Sequence, residues 1–231
     1  MPSTLALIGG AEFKPGNESI DRYLITRAGG AQAVRGLIIP TAAAKENPYV
    51  AARTGTLWFH GLGVVMDNVM IVDKVTADYR HFVAIVENAN FFYLLGGDPL
   101  YLLETLRGSK SWRVIEEKYR AGEAVVAGSS AGAMVLGSWM TDFAGGYVPA
   151  LDLAPVSLVV APHFDGSSAA TALPDGFPAK ATWLRLAEKT GAVFDGTEWR
   201  VFGPGNLNVV KPDGASETYK QDDKIQFARD T

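Results

Sequence analysis

Ala124-Val125-Val126-Ala127-Gly128-Ser129-Ser130-Ala131-Gly132-Ala133 reads as a short buried strand that turns abruptly into a helix. Small and β-branched apolar residues fill the strand. Glycines at 128 and 132 then lie symmetrically about Ser130, in the G-x-S-x-G pattern whose small neighbours permit a strained turn that exposes a hydroxyl. That symmetry selects Ser130 rather than Ser129 as a nucleophile. An ordinary Gly/Ser/Ala turn opening a helix accounts for the same residues, so the rest of the chain must decide between the two.

Outward from this stretch, short apolar runs at 5–8, 36–39, 64–72, 91–95 and 156–160 have the length and composition of strands, as does 124–127. Helical spacing lies between most of them. Pro48 suits a first helical turn after Asn47 and opens a segment over 49–59, while 100–106 and 112–119 carry apolar residues three or four apart. Such alternation predicts an α/β fold with a mainly parallel sheet flanked by helices on both faces. Three of the strands end in Gly9-Gly10-Ala11-Glu12, Gly96-Gly97-Asp98-Pro99 and the Ser130 turn, which a parallel sheet gathers at its carboxyl edge, where ligands bind. Beyond Pro174 the pattern predicts a helix over 180–189, followed by short antiparallel strands at 192–194, 200–202 and 207–210 that close the fold.

The chain's 231 residues, 48% apolar and 20% charged, are expected to form one α/β domain over 1–231. The formal net charge is only -4 and the Lys and Arg residues are scattered, which argues against nucleic acid or an anionic membrane as partner. No Cys is present, so thiol catalysis, thiolate metal sites and disulfides are excluded together. Met1-Pro2-Ser3-Thr4 shows no charged leader, and no apolar run approaches the roughly 20 residues of a membrane span. The expectation is a soluble, cytoplasmic protein, a monomer or homodimer. No metal is expected, because the carboxylates lack convergent spacing, and no nucleotide cofactor, because Gly9-Gly10-Ala11-Glu12 is neither G-x-G-x-x-G nor a Walker loop.

A catalytic serine needs a base, usually histidine, and a third group that orients the ring. Of the three histidines, His60 falls near the end of a predicted helix as a partly buried packing residue. His81 falls in a helical stretch far from the loop edge. His163, in Ala161-Pro162-His163-Phe164, follows a strand end on the side where Ser130 should lie, and is the candidate base. The amide after the nucleophile, Ala131 N–H, supplies one oxyanion donor, and Gly97 N–H in the open Gly-Gly loop is the choice for the second.

Taken in order, Ile8-Gly9-Gly10-Ala11-Glu12, Ile39-Pro40-Thr41-Ala42, Gly96-Gly97-Asp98, the Ser130 elbow and Pro162-His163-Phe164 resemble the serine peptidases typified by dipeptidase E and cyanophycinase. The resemblance spans roughly residues 5–210. It implies a fold like that of class I glutamine amidotransferases, with serine in place of their cysteine, and hydrolysis of short peptides, aspartyl dipeptides or aspartate-linked amides. Carried over position by position, it makes Ser130 the nucleophile, His163 the base, and Gly97 and Ala131 the oxyanion donors. For the third member it favours Asp142, in Met140-Thr141-Asp142-Phe143, over Asp152, the only other carboxylate between Ser130 and His163. The loop Ala144-Gly145-Gly146 beside Asp142 is expected to be flexible. At the specificity positions the match weakens. Phe164-Asp165-Gly166-Ser167-Ser168 lacks the arginine that cyanophycinases carry after the histidine, and the dipeptidase arginine falls at Lys180, with Arg185 one turn away as a substitute. Asp98 matches the cyanophycinase loop as a substrate contact, whereas Pro99 replaces a polar residue. The alternative from another class is a non-catalytic relative that keeps the pocket for a small ligand or partner.

Overall fold

The structure is a computed structural model that describes residues 3–166 and 172–227. In chain order its first half runs β1 (Thr4–Ile8), α1 (Glu18–Arg27), β2 (Gly36–Ile39), a 3-10 turn (Thr41–Ala43), α2 (Pro48–Gly61), β3 (Met66–Asn68), α3 (Lys74–Ala77), α4 (Arg80–Asn88), β4 (Phe91–Leu94), α5 (Pro99–Leu106), α6 (Lys110–Arg120) and β5 (Val125–Ser129). There follow α7 (Ala131–Leu136), β6 (Trp139–Thr141), β7 (Tyr147–Pro149), β8 (Leu158–Ala161), β9 (Thr182–Leu186), β10 (Gly191–Phe194), β11 (Trp199–Phe202), β12 (Leu207–Val210), β13 (Ser216–Tyr219) and β14 (Lys224–Ile225).

Eight strands form the main sheet in the order β14-β11-β10-β1-β5-β4-β2-β3. The five from β1 to β3 in that order pair in parallel, and β10, β11 and β14 add on antiparallel. The expected α/β architecture with a mainly parallel sheet is therefore present. Side chains alternate between two cores. Leu5, Leu7, Phe92, Leu94 and Val126 face α5, α6 and α7, while Ala6, Ile8, Phe91, Tyr93 and Val125 face α1 and α2. Burial on both faces explains why these strands are continuous apolar runs in the sequence. The helix starts also follow local chemistry: the Asn47 side chain accepts from Val50 N–H ahead of Pro48, and the Asp98 carboxylate accepts from Tyr101 N–H ahead of Pro99.

The carboxyl half departs from the sequence expectation in two ways. The run 156–160 yields β8, which belongs not to the main sheet but to a second one ordered β13-β12-β9-β8-β6-β7. Only β8 with β9, and β8 with β6 through a single pairing, run parallel there; the rest is antiparallel. The helix expected over 180–189 is instead the strand β9. Its five residues alternate, Leu184 and Leu186 fully buried in the core shared with α7, Trp183 and Arg185 on the opposite face. Residues such as Leu and Ala suit either element, and here cross-strand pairing to β8 and β12 decides. Of the expected 64–72 strand, only Met66–Asn68 pairs.

Candidate active site

The turn after β5 has the strain its sequence predicts. Ser130 has φ 50° and ψ -112°, outside the regions ordinary for a non-glycine residue, and its N–H donates to Ile8 O at 2.9 Å. A methyl on Gly128 would lie 2.4 Å from the Gly132 carbonyl, so the first glycine lets the helix pack directly on the strand it follows. Ser129 is fully buried and donates its hydroxyl to Glu12 Oε2 at 2.8 Å, whereas Ser130 faces a cavity. Burial and an existing acceptor thus separate two serines that sequence symmetry alone had to rank.

Ser130 Oγ lies 2.8 Å from His163 Nε2. His163 has a left-handed backbone (φ 58°), and its N–H donates to Gly9 O at 2.9 Å, which ties the loop after β8 to the loop after β1. Gly10 is the close approach that makes room for the ring, because a methyl there would sit 2.4 Å from His163 Cε1. On the other side of the imidazole, Nδ1 lies 3.2 Å from Glu188 Oε1. With Nδ1–H donating to that carboxylate, Nε2 is left as acceptor for the serine proton. Both partners of the His163–Glu188 pair are about half exposed, at 51% and 57%, so water competes for their charge. Glu188 stands in the short connection from β9 to β10, held where Lys189 N–H donates to Gly10 O at 3.0 Å and Gly9 N–H to Thr190 O at 2.9 Å.

The carboxylate facing His163 Nδ1 is therefore Glu188 and not Asp142. Asp142 Oδ1 instead accepts from Ala144 N–H and Gly146 N–H, both at 2.8 Å, and braces the turn between β6 and β7 that had been expected to be loose. Asp152 is no closer to that role: it is exposed and lines a separate hollow with Trp139 and Pro155 that includes neither Ser130 nor His163. Gly97 and Ala131, the expected oxyanion donors, line the same cavity as Ser130 and His163. Ala131 is the first residue of α7, so its N–H has no acceptor within the helix. Of the expected substrate contacts, Asp98 caps α5 and pairs with Lys45 at 3.2 Å, and the Tyr101 N–H holds its carboxyl below the usual range. Lys180 is an exposed turn residue. Arg185 is only 7% exposed, stacked 4.1 Å from the Phe164 ring centre, and burial lowers its pKa. None of the three lines the cavity. Ser167 and Ser168 lie outside the described residues. His60 is exposed rather than packed, and His81 is exposed beside Tyr79 and Phe82.

Two residues escaped the sequence reading. Glu188 was hidden by the helix assigned to its segment; read as a strand parallel to β8, the same residues end beside His163. Glu12 stood within a quoted motif. Its Oε1 accepts from Gly96 N–H at 3.0 Å while Oε2 accepts from Ser129, so one carboxylate joins the loops after β1 and β4 to the end of β5. Among the described residues no three His, Asp or Glu side chains converge as a metal site would require, and no helix is long and apolar enough to cross a membrane.

Peptidase family S51 matches residues 5–177 of this sequence. A cyanophycinase from Nostoc sp. is 28% identical over 229 residues, covering 94% of this chain and 76% of that protein. One from Synechococcus elongatus is 29% identical over 226 residues, covering 91% of this chain and 69% of that protein. Among solved structures, a peptidase from an acI-B1 Actinobacterium superposes with a TM-score of 0.85 at 28% identity over 98% of both chains. A putative peptidase E protein from Listeria monocytogenes EGD-e, 16% identical, shares the fold with a TM-score of 0.61 over 89% of this chain and all of that one.

Proposed function

This chain belongs to peptidase family S51, and on that premise we propose that it is a serine-type peptidase acting on short peptides, with Ser130 as nucleophile, His163 as general base and Glu188 as the group that orients the imidazole. The observation that carries the proposal is the 2.8 Å contact between Ser130 Oγ and His163 Nε2 at a strained elbow. In the acylation step Ser130 Oγ attacks the scissile carbonyl carbon as its proton passes to Nε2, and the C–N bond then breaks as Nε2 returns that proton to the leaving amine. Water next attacks the acyl-serine ester through the same base, releasing the acid and restoring the hydroxyl. Glu188 holds the ring in the tautomer with hydrogen on Nδ1 and stabilises the imidazolium that forms. Gly97 N–H and Ala131 N–H receive the negative charge of each tetrahedral intermediate.

A fluorophosphonate probe tests the reading. Peptide mapping should place the label on Ser130, and Ser130→Ala should remove both label and peptide hydrolysis. Labelling at Ser129 would overturn the assignment of Ser130, and no label in the folded protein would favour the ligand-binding alternative.

A further inference from the structure

We infer that the cavity beside Ser130 receives a bulky apolar or aromatic substrate side chain next to the scissile bond, and excludes a carboxylate there; this rests on the peptidase reading above. The cavity has a volume of about 420 Å³, room for one large side chain with the backbone that carries it. Beyond Ser130 and His163 its walls include Met134 from α7, Phe143 and Tyr147 from the hairpin of β6 and β7, Val159 from β8 and Trp183 from β9. The rings are held in place. Tyr147 meets Phe177 edge-on at 5.3 Å between centres, and Phe177 lies 6.1 Å from Trp183.

Phe143 supplies the most pointed observation. It is 64% exposed in a left-handed conformation (φ 61°), at the turn that the Asp142 carboxylate braces. An aromatic ring left in water on a braced turn at a cavity wall gains from whatever apolar group covers it. Charge points the same way. Among the described residues no Lys, Arg, Asp or Glu side chain lines the cavity, and residues 167–171, Ser-Ser-Ala-Ala-Thr, bring no charge by sequence. A carboxylate entering would surrender its water without meeting a cation, and Glu188 on the far side of the His163 ring would repel it.

The test uses matched dipeptides in which Phe, Leu, Asp or Arg occupies either the amino or the carboxyl side of the bond. Initial rates are read with the wild-type protein and dissociation constants with Ser130→Ala. At one of the two positions Phe or Leu should exceed both Asp and Arg in kcat/KM by on the order of 100-fold, with the same order in binding to Ser130→Ala. Phe143→Ala, a change at an exposed residue, should shrink that ratio several-fold. Equal or better use of Asp or Arg at both positions overturns the inference. A protein that binds Phe and Leu peptides in this order yet takes no fluorophosphonate label overturns the peptidase reading and leaves the pocket assignment standing.

Discussion

At the scale of single residues, the site turns on two carboxylates whose surroundings differ. Glu188 reaches His163 in partial contact with water, so its loss should cost less than that of a buried triad acid. Glu188→Gln should lower kcat by about 100-fold with little change in KM, against the roughly 10⁴-fold seen where such a carboxylate is buried. Asp142→Asn, which keeps an oxygen acceptor for Ala144 and Gly146 N–H, should leave kcat within a few-fold; steady-state kinetics on both variants decides which carboxylate serves the histidine. Glu12 acts at one remove, by fixing the Gly96 amide and the Ser129 hydroxyl. Glu12→Ala strips both donors of their acceptor, and we expect a stability loss of roughly 1–3 kcal/mol in urea titration. Because Gly96 precedes Gly97, proposed above as an oxyanion donor, that variant should also lower kcat more than it raises KM. The sequence displayed Glu12 openly in Gly9-Gly10-Ala11-Glu12, but nothing local says that a loop carboxylate will reach two other loops.

At the scale of elements, α1 carries a pH response into the core. Asp21 is fully buried under α2, where Trp58 Nε1–H donates to its Oδ2 at 2.7 Å, and burial raises its pKa to about 7. The groups that act on it are Glu18 on its own helix and Glu12 in the loop after β1, both acidic, and Trp58 from α2, whose N–H opposes the rise; Tyr93 of β4 is a buried hydroxyl within range of its charge. The folded state therefore binds a proton that the unfolded chain has released. This contribution to stability is complete below the ordinary Asp pKa of about 3.9 and is lost as pH rises through about 7. Wild-type protein should lose stability in urea titrations between pH 5 and pH 8, by an amount on the order of 1–3 kcal/mol, and Asp21→Asn should flatten that slope. An unchanged or steeper fall in the variant would rule out Asp21 as its source. Element identity was legible wherever burial on both faces left an unbroken apolar run, as in β1, β4 and β5. It failed at β9, because Thr182-Trp183-Leu184-Arg185-Leu186 alternates over too few residues to separate a period of two from one of 3.6 when Arg185 is itself buried.

At the scale of the whole molecule, the legible part is the parallel half of the main sheet, whose loops bring Gly97, Ser130 and Ala131 to one edge beside His163. The second sheet was not legible. Two of its pairings skip intervening strands, β9 with β12 and β8 with β6, and such long-range pairing leaves no signature in any one segment. The same geometry predicts the fate of a shortened chain. Cut after residue 177, the protein keeps Ser130 and His163 but loses Glu188, the β9 partner of β8 and the β10 partner of β1. It should fail to label with fluorophosphonate, and labelling at the full-length rate would show the carboxyl segments to be dispensable. The antiparallel seam between β1 and β10 has a consequence for the protein's birth. β1 cannot complete its pairing until β10 has been made, and at about 5–20 residues per second the interval from Ser130 to Glu188 takes several seconds. On the proposed reading, a nascent chain thus carries the Ser130 hydroxyl unarmed beside neighbouring unfolded peptides until the turn after β9 has brought Glu188 to the histidine.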